Sequence, residues 1–272
     1  QFISGAICVV YMFKAYPSLR LKKSDWSINW NMIYGHICVG LPMALQYSIT
    51  AVGCIFQQTA LNGLNTAMPG VVTGYTASSR IDNIACQTFN SLGTASATYA
   101  GQNYGAHKFG RIKDGVFVSM VFTFVSWALA LIFCFGLGKP LTALFIDGST
   151  IGDPALYNSI VGYSFKFLIY QCLFYPFLGI VYVYRNTLQG IGKSAVTTIA
   201  GVTELAGRSV TAFILVKYIG YTGVCLSNPI AWMAADIFLL TVYAITMKKY
   251  GGVSQYSLKS LLTRRRTPAG QN

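Results

Sequence analysis

Acidic side chains are nearly missing from this sequence: seven Asp and Glu residues stand among 272, and charges of both signs make up only 10% of the chain. A soluble domain carries about 25% charged residues. With 54% hydrophobic residues, so few charges cannot cover a water-facing globule, which excludes a soluble fold. Histidine is as scarce, with His36 and His107 standing alone. No Ser-His-Asp or Cys-His set and no cluster of metal ligands can be assembled, so an enzyme is not expected. The seven cysteines share no CxxC spacing, and most fall inside apolar blocks, where a free Cys acts as a small hydrophobe. That pattern supports neither a disulfide framework nor a metal site. Also missing are an initiator Met and the basic n-region of a signal peptide. The first apolar stretch, through about Tyr16, is short for a membrane span, so it reads as a truncated helix and the sequence as a fragment.

What is present is hydrophobic blocks of membrane-crossing length, about 20 residues each. After the truncated helix at 1–16 and a link at 17–32, full spans are expected at 33–57, 71–102, 115–136, 156–184, 194–216 and 222–247. The expected fold class is an all-α polytopic membrane protein. Its six-helix membrane lobe covers 33–247, followed by a basic tail at 248–272. The net charge of +13 could point to nucleic acid, but its placement points to lipid. Fifteen of the twenty basic residues fall in alternate links and the tail: Lys14, Arg20, Lys22 and Lys23; Lys108, Arg111 and Lys113; Arg185 and Lys193; and Lys248, Lys249, Lys259 and Arg264 to Arg266. The intervening links hold only Lys139 and Lys217. This positive-inside alternation supports the span count. It predicts a plasma-membrane protein with a cytoplasmic C-terminus, the bilayer as partner and no nucleic acid.

Three bases, Arg80, Lys166 and Arg208, and three acids, Asp82, Glu204 and Asp236, remain inside spans. An ionised group at the bilayer centre costs about 2.5–3.5 kcal/mol on insertion scales, so all six are expected to face the bundle interior, paired or in a wet cavity. Glu204 and Arg208 are an i,i+4 pair, either a structural lock between helices or part of a transport path. Asp82 shares a face with Tyr75, Ser78, Ser79 and Asn90 and has no basic partner on its own helix. It either binds H⁺, Na⁺ or a cationic cargo, or pairs with Lys166 or Arg208 of a neighbour. Pro42, Gln46, Thr50, Gly53 and Gln57 follow one another at helical spacing and either line a cavity or bond between helices. Tyr163, Lys166, Tyr170, Phe174 and Phe177 form an aromatic stripe suited to packing or to a cation–π surface. Asn228, Trp232 and Asp236 form a similar one. Gly190-Ile191-Gly192-Lys193-Ser194 mimics the end of a phosphate-binding loop, but Thr187 occupies the position of its first Gly, and the segment reads as a turn.

Several stretches together resemble the multidrug and toxic compound extrusion (MATE) family. They are Ala77-Ser78-Ser79-Arg80-Ile81-Asp82-Asn83 running on to Ala100-Gly101-Gln102-Asn103-Tyr104-Gly105-Ala106; Tyr184-Arg185-Asn186-Thr187-Leu188-Gln189-Gly190-Ile191-Gly192 followed by Glu204 and Arg208; and Gly40-Leu41-Pro42 opening a helix. The resemblance implies the C-terminal lobe of a twelve-helix, two-lobe antiporter, starting within helix six and lacking its N-terminal lobe. It implies export of drugs and organic cations in exchange for H⁺ or Na⁺, by rocking of the lobes about a site between them. It implies no cofactor beyond the coupling ion. By the same resemblance, some Na⁺-driven relatives carry an acid on helix seven, where this sequence offers only Gln46, Gln57 and Gln58. Asp82 is then the first remaining carboxylate for an ion (Na⁺ included) or cargo, with Glu204 and Asp236 behind it and Tyr75, Gln57 and Tyr170 beside them. Arg80, Lys166 and Arg208 are the charge-pairing candidates. The alternatives are a flippase for lipid-linked precursors or polysaccharides, which needs a more basic cavity, and a non-transporting membrane scaffold, which needs every intramembrane charge paired.

Overall fold

Helices make up most of the computed structural model, which describes residues 2–17, 27–146, 151–252 and 254. They are α1 (Phe2–Ala15), α2 (Trp30–Leu64), α3 (Val71–Gly105), α4 (Phe109–Leu144), α5 (Pro154–Gly190), α6 (Ser194–Ile219) and α7 (Tyr221–Tyr250). All six expected spans are helices, and each runs past the apolar window that signalled it. Hydropathy marks only the lipid-depth part of a helix, whereas the backbone stays helical until a terminator. At α5 that terminator is the turn at Gly192, whose φ is 82°. This corrects the placement of Arg185, expected in a link but lying inside α5. Likewise Arg111, Lys113 and Lys139 belong to α4. The expected link at 17–32 and the basic tail at 248–272 lie mostly outside the described residues.

Among the described residues, five helices are long and apolar enough to cross a membrane: α2, α4, α5, α6 and α7. α3 has the same 35 residues as α2 but is far more polar, a difference that matters below. Residues 1–38 and 39–272 form two separate units. In the first, α1 is an apolar helix with Lys14 in its last turn. The second holds the core, which centres on α5. Its buried residues include Phe89, Leu168, Tyr175, Leu178, Val181, Leu188 and Leu239.

Glycines let α3 and α5 approach closely, as small residues do between membrane helices. Gly74 abuts the Ile160 carbonyl, and Ser164 Oγ donates to the Gly74 carbonyl at 2.7 Å. Gly93 faces the Asn186 amide, and a Cβ on Gly101 would lie 3.1 Å from the Gly190 carbonyl. A methyl on Gly190 would run into the Ala97 backbone. Gly190→Ala is therefore expected to force the helices apart and cost about 1–3 kcal/mol. Thermal unfolding in detergent checks this, and an unchanged midpoint would mean that the helices are looser than described.

α6 changes pitch at Thr211–Leu215, which forms a π-helical turn. The Thr211 hydroxyl lies 2.8 Å from the Arg208 carbonyl and 2.9 Å from Ser227 Oγ. Such turns are local departures from the helical ladder and often accompany functional sites. Here the turn follows directly on Arg208.

Candidate functional site

Three buried charged residues meet where α5 faces α6. Glu204 on α6 lies between two guanidinium groups. Arg208, one turn on, approaches it at 3.3 Å. Arg185 reaches its other carboxylate oxygen from α5. All three are buried, at 9% exposure or less, so water does little to screen them. The spacing of Glu204 and Arg208 made their contact foreseeable. Arg185 was missed because its polar neighbourhood ends the apolar run that signalled α5. The cluster holds two bases and one acid, and Nε of each arginine has no partner among the described residues.

Asp82 has a different environment. The Tyr175 hydroxyl donates to its Oδ1 at 2.7 Å, and Cys86 Sγ lies 3.8 Å from Oδ2. Neither Lys166 nor Arg208 pairs with it: Lys166 Nζ donates to Thr222 Oγ1 at 2.7 Å, and Arg208 is held by Glu204. Tyr175 is fully buried on α5, clasped by Phe89 and Trp232 with ring centroids 5.4 and 6.5 Å away. Its ring also floors an apolar cleft of about 980 Å³ bounded by Ile81, Ala85, Leu129 and Phe133. A carboxylate and an apolar hollow therefore meet at one tyrosine.

Asp236, on α7, is 4% exposed, and neither carboxylate oxygen has a partner among the described residues. Gln57 Nε2 donates to the Val224 carbonyl at 3.2 Å. Tyr75 packs edge-on against Phe167 at 4.9 Å, and Tyr170 joins the same apolar cluster. These three make walls rather than converging on the carboxylates. Between the helices runs a seam of neutral hydrogen bonds: Gln189 to Gln46 and to Thr197, Gln171 to the Cys225 carbonyl, and Thr198 to the Pro42 carbonyl.

The remaining feature is on the opposite side of α3. Thr73, Thr76, Arg80, Asn83, Gln87, Asn90, Thr94 and Thr98 are all exposed and recur every three or four residues along the whole helix. That spacing puts them on one face. The stripe was in the sequence, but the opposite face, with Asp82, drew the reading. Arg80 belongs to this outward stripe and not, as expected, to the bundle interior, and Asn90 lies on it too rather than on the face of Asp82 where it was expected.

No curated protein sequence matches the chain. Solved structures similar in fold include two transporters. One is a MOP superfamily transporter from Pyrococcus furiosus, described by the reverse polarity of its binding pocket: 16% identity, a TM-score of 0.77, 91% of this chain and 54% of that one covered. The other is a MATE protein in a bent conformation: 17% identity, a TM-score of 0.74, 90% and 53% covered. The chain thus spans about half the length of either. The model of the MatE family matches residues 42–214, a stretch that runs from α2 to the π-helical turn of α6 and takes in the Glu204 cluster and Asp82. This chain belongs to the MatE family of membrane transporters.

Proposed function

We propose that the chain is one lobe of a two-lobe secondary transporter that exports drugs and organic cations across the cell membrane in exchange for H⁺ or Na⁺, with its C-terminus in the cytoplasm. The observation that carries this reading is the polar stripe of α3. Of the eight polar side chains on one face of a 35-residue helix, Thr76, Thr94 and Thr98 bond back to their own helix, but Arg80, Asn83, Gln87 and Asn90 are costly against lipid tails. They need water, and a helix packed on one side and wet on the other lines an aqueous path. A second lobe facing α3 would close that path into a cavity.

Within this reading Asp82 takes the coupling ion or the positive charge of the cargo, one at a time. Tyr175 orients the carboxylate, and the apolar cleft receives the body of an amphipathic cation. The test is ethidium efflux from vesicles carrying the complete two-lobe protein, under a Na⁺ gradient alone and an H⁺ gradient alone. One gradient should drive efflux and the other should not. If neither drives it, drug antiport is lost.

Arg185 favours a second reading. It gives the buried cluster two bases, Arg185 and Arg208, around the single acid Glu204, which suits an anionic head group better than a balanced pair would. Movement of a fluorescent lipid pyrophosphate in the same vesicles, without ethidium efflux, would favour the flippase. A non-transporting scaffold needs every intramembrane charge partnered, and Asp236 argues against it.

A further inference from the structure

Asp236 sits on the face of α7 that also carries Trp232, Leu239 and Tyr243, at steps of four, three and seven. That face is turned to α5, and the two helices run parallel. Tyr163 meets Tyr221, Tyr175 meets Trp232, and Tyr184 meets Tyr243 edge-on with ring centroids 4.8 Å apart. Asp236 therefore lies between two aromatic contacts, sealed from water, and both its oxygens lack a donor. Its charged neighbour is Arg185. Arg185 is spoken for at one amino group by Glu204, while its Nε has no partner.

An ionised carboxylate buried without a donor is far costlier than the same group carrying a proton. A guanidinium with five N–H donors can serve two carboxylates at once. We propose that Asp236 is a proton-binding site that shares Arg185 with Glu204. With the proton on, Arg185 belongs to Glu204 alone, which is the arrangement described above. With the proton released to solvent, Arg185 bridges both carboxylates, and α5 and α7 are drawn together along this stripe. The cluster of Arg185, Arg208, Glu204 and Asp236 then passes from one net positive charge to none. The other groups that face the site are Tyr184 from α5 and Tyr243 from α7 itself, with Asp114 of α4 facing Tyr243. α6 contributes Glu204 and Arg208, which act through Arg185. Of the two cations, Arg185 acts on Asp236 directly, and Arg208 is held by Glu204. The inference stands apart from the cargo: failure of ethidium efflux would leave it intact.

The test is pH-difference infrared spectroscopy of the purified chain in lipid nanodiscs, joined to spin-label distances between Leu173→Cys on α5 and Ile237→Cys on α7, both exposed sites. A protonated-carboxyl band should be present at acidic pH and vanish at alkaline pH. Asp236→Asn should remove it, Asp82→Asn should keep it, and Asp236→Glu should move its frequency. The label distance should shorten as the band disappears, and Arg185→Gln should abolish that shortening while leaving the band. A band that survives Asp236→Asn unchanged, or that is insensitive to Asp236→Glu, overturns the proposal. So does the absence of any pH-dependent carboxyl band.

Discussion

Glu204→Gln should be the most damaging conservative substitution in this protein. The change is nearly isosteric, so packing is kept, but it removes the only acid between Arg185 and Arg208. Two guanidinium groups would be left facing each other at a buried site. Breaking a buried ion pair from one side costs about 3–5 kcal/mol, most of it from the charge left unpaired. Arg185→Met should cost less, because Glu204 keeps Arg208. Replacing all three residues with Leu should recover much of the loss, since no charge then remains to be desolvated. Thermal unfolding of the three variants beside the unsubstituted chain in one detergent gives the order. If Glu204→Gln unfolds no earlier than Arg185→Met, water reaches the cluster and the burial argument fails.

Asp82→Asn should be nearly silent for folding and severe for transport. The amide oxygen can still accept from Tyr175, so the α3–α5 contact survives. What disappears is the negative charge that attracts an ion or a cationic cargo. A charge-assisted contact is worth about 1.5–3 kcal/mol, or about ten- to hundredfold in affinity. Efflux at limiting cargo should fall by a similar factor while the protein accumulates normally. Tyr175→Phe should show a smaller loss, because it keeps the charge and removes only the group that aims it. Normal efflux by Asp82→Asn would take Asp82 out of the mechanism and leave the α3 stripe as the main feature of the path.

Much of this arrangement can be read from the residues. Long apolar runs between links mark six helices, because lipid allows only helices or closed barrels and runs of about 20 residues fit a helix rather than a strand. The i,i+4 spacing of Glu204 and Arg208 places them in reach of each other on any helix. Arg185 and Asp236 were harder, for the same reason: their partners, or lack of them, depend on helix-to-helix register. Arg185 belongs to Glu204 only because α5 continues past 184 and packs on α6. Asp236 is isolated only because its stripe turns to the aromatic side of α5. Neither fact has a signature in local spacing. The π-helical turn after Arg208 is likewise invisible, since Thr211–Leu215 reads as ordinary apolar helix.

The α3 stripe is the opposite case. Its three-and-four spacing is plain in the sequence, and its polarity explains why α3 falls short of the other spans in apolar character. What sequence could not supply is which side of α3 is packed. Once Gly74, Asp82, Phe89 and Gly93 are seen to face α5, the polar side must look elsewhere.

Cysteine accessibility along α3 in intact membranes tests that geometry most directly. In a background with the native cysteines replaced, Asn83→Cys, Gln87→Cys and Asn90→Cys should react with a membrane-impermeant maleimide, and organic cation should protect them. Phe89→Cys, on the packed side, should not react. Uniform protection of the stripe from the reagent, with or without cation, would place these residues in lipid or protein rather than water and would contradict an aqueous path along α3.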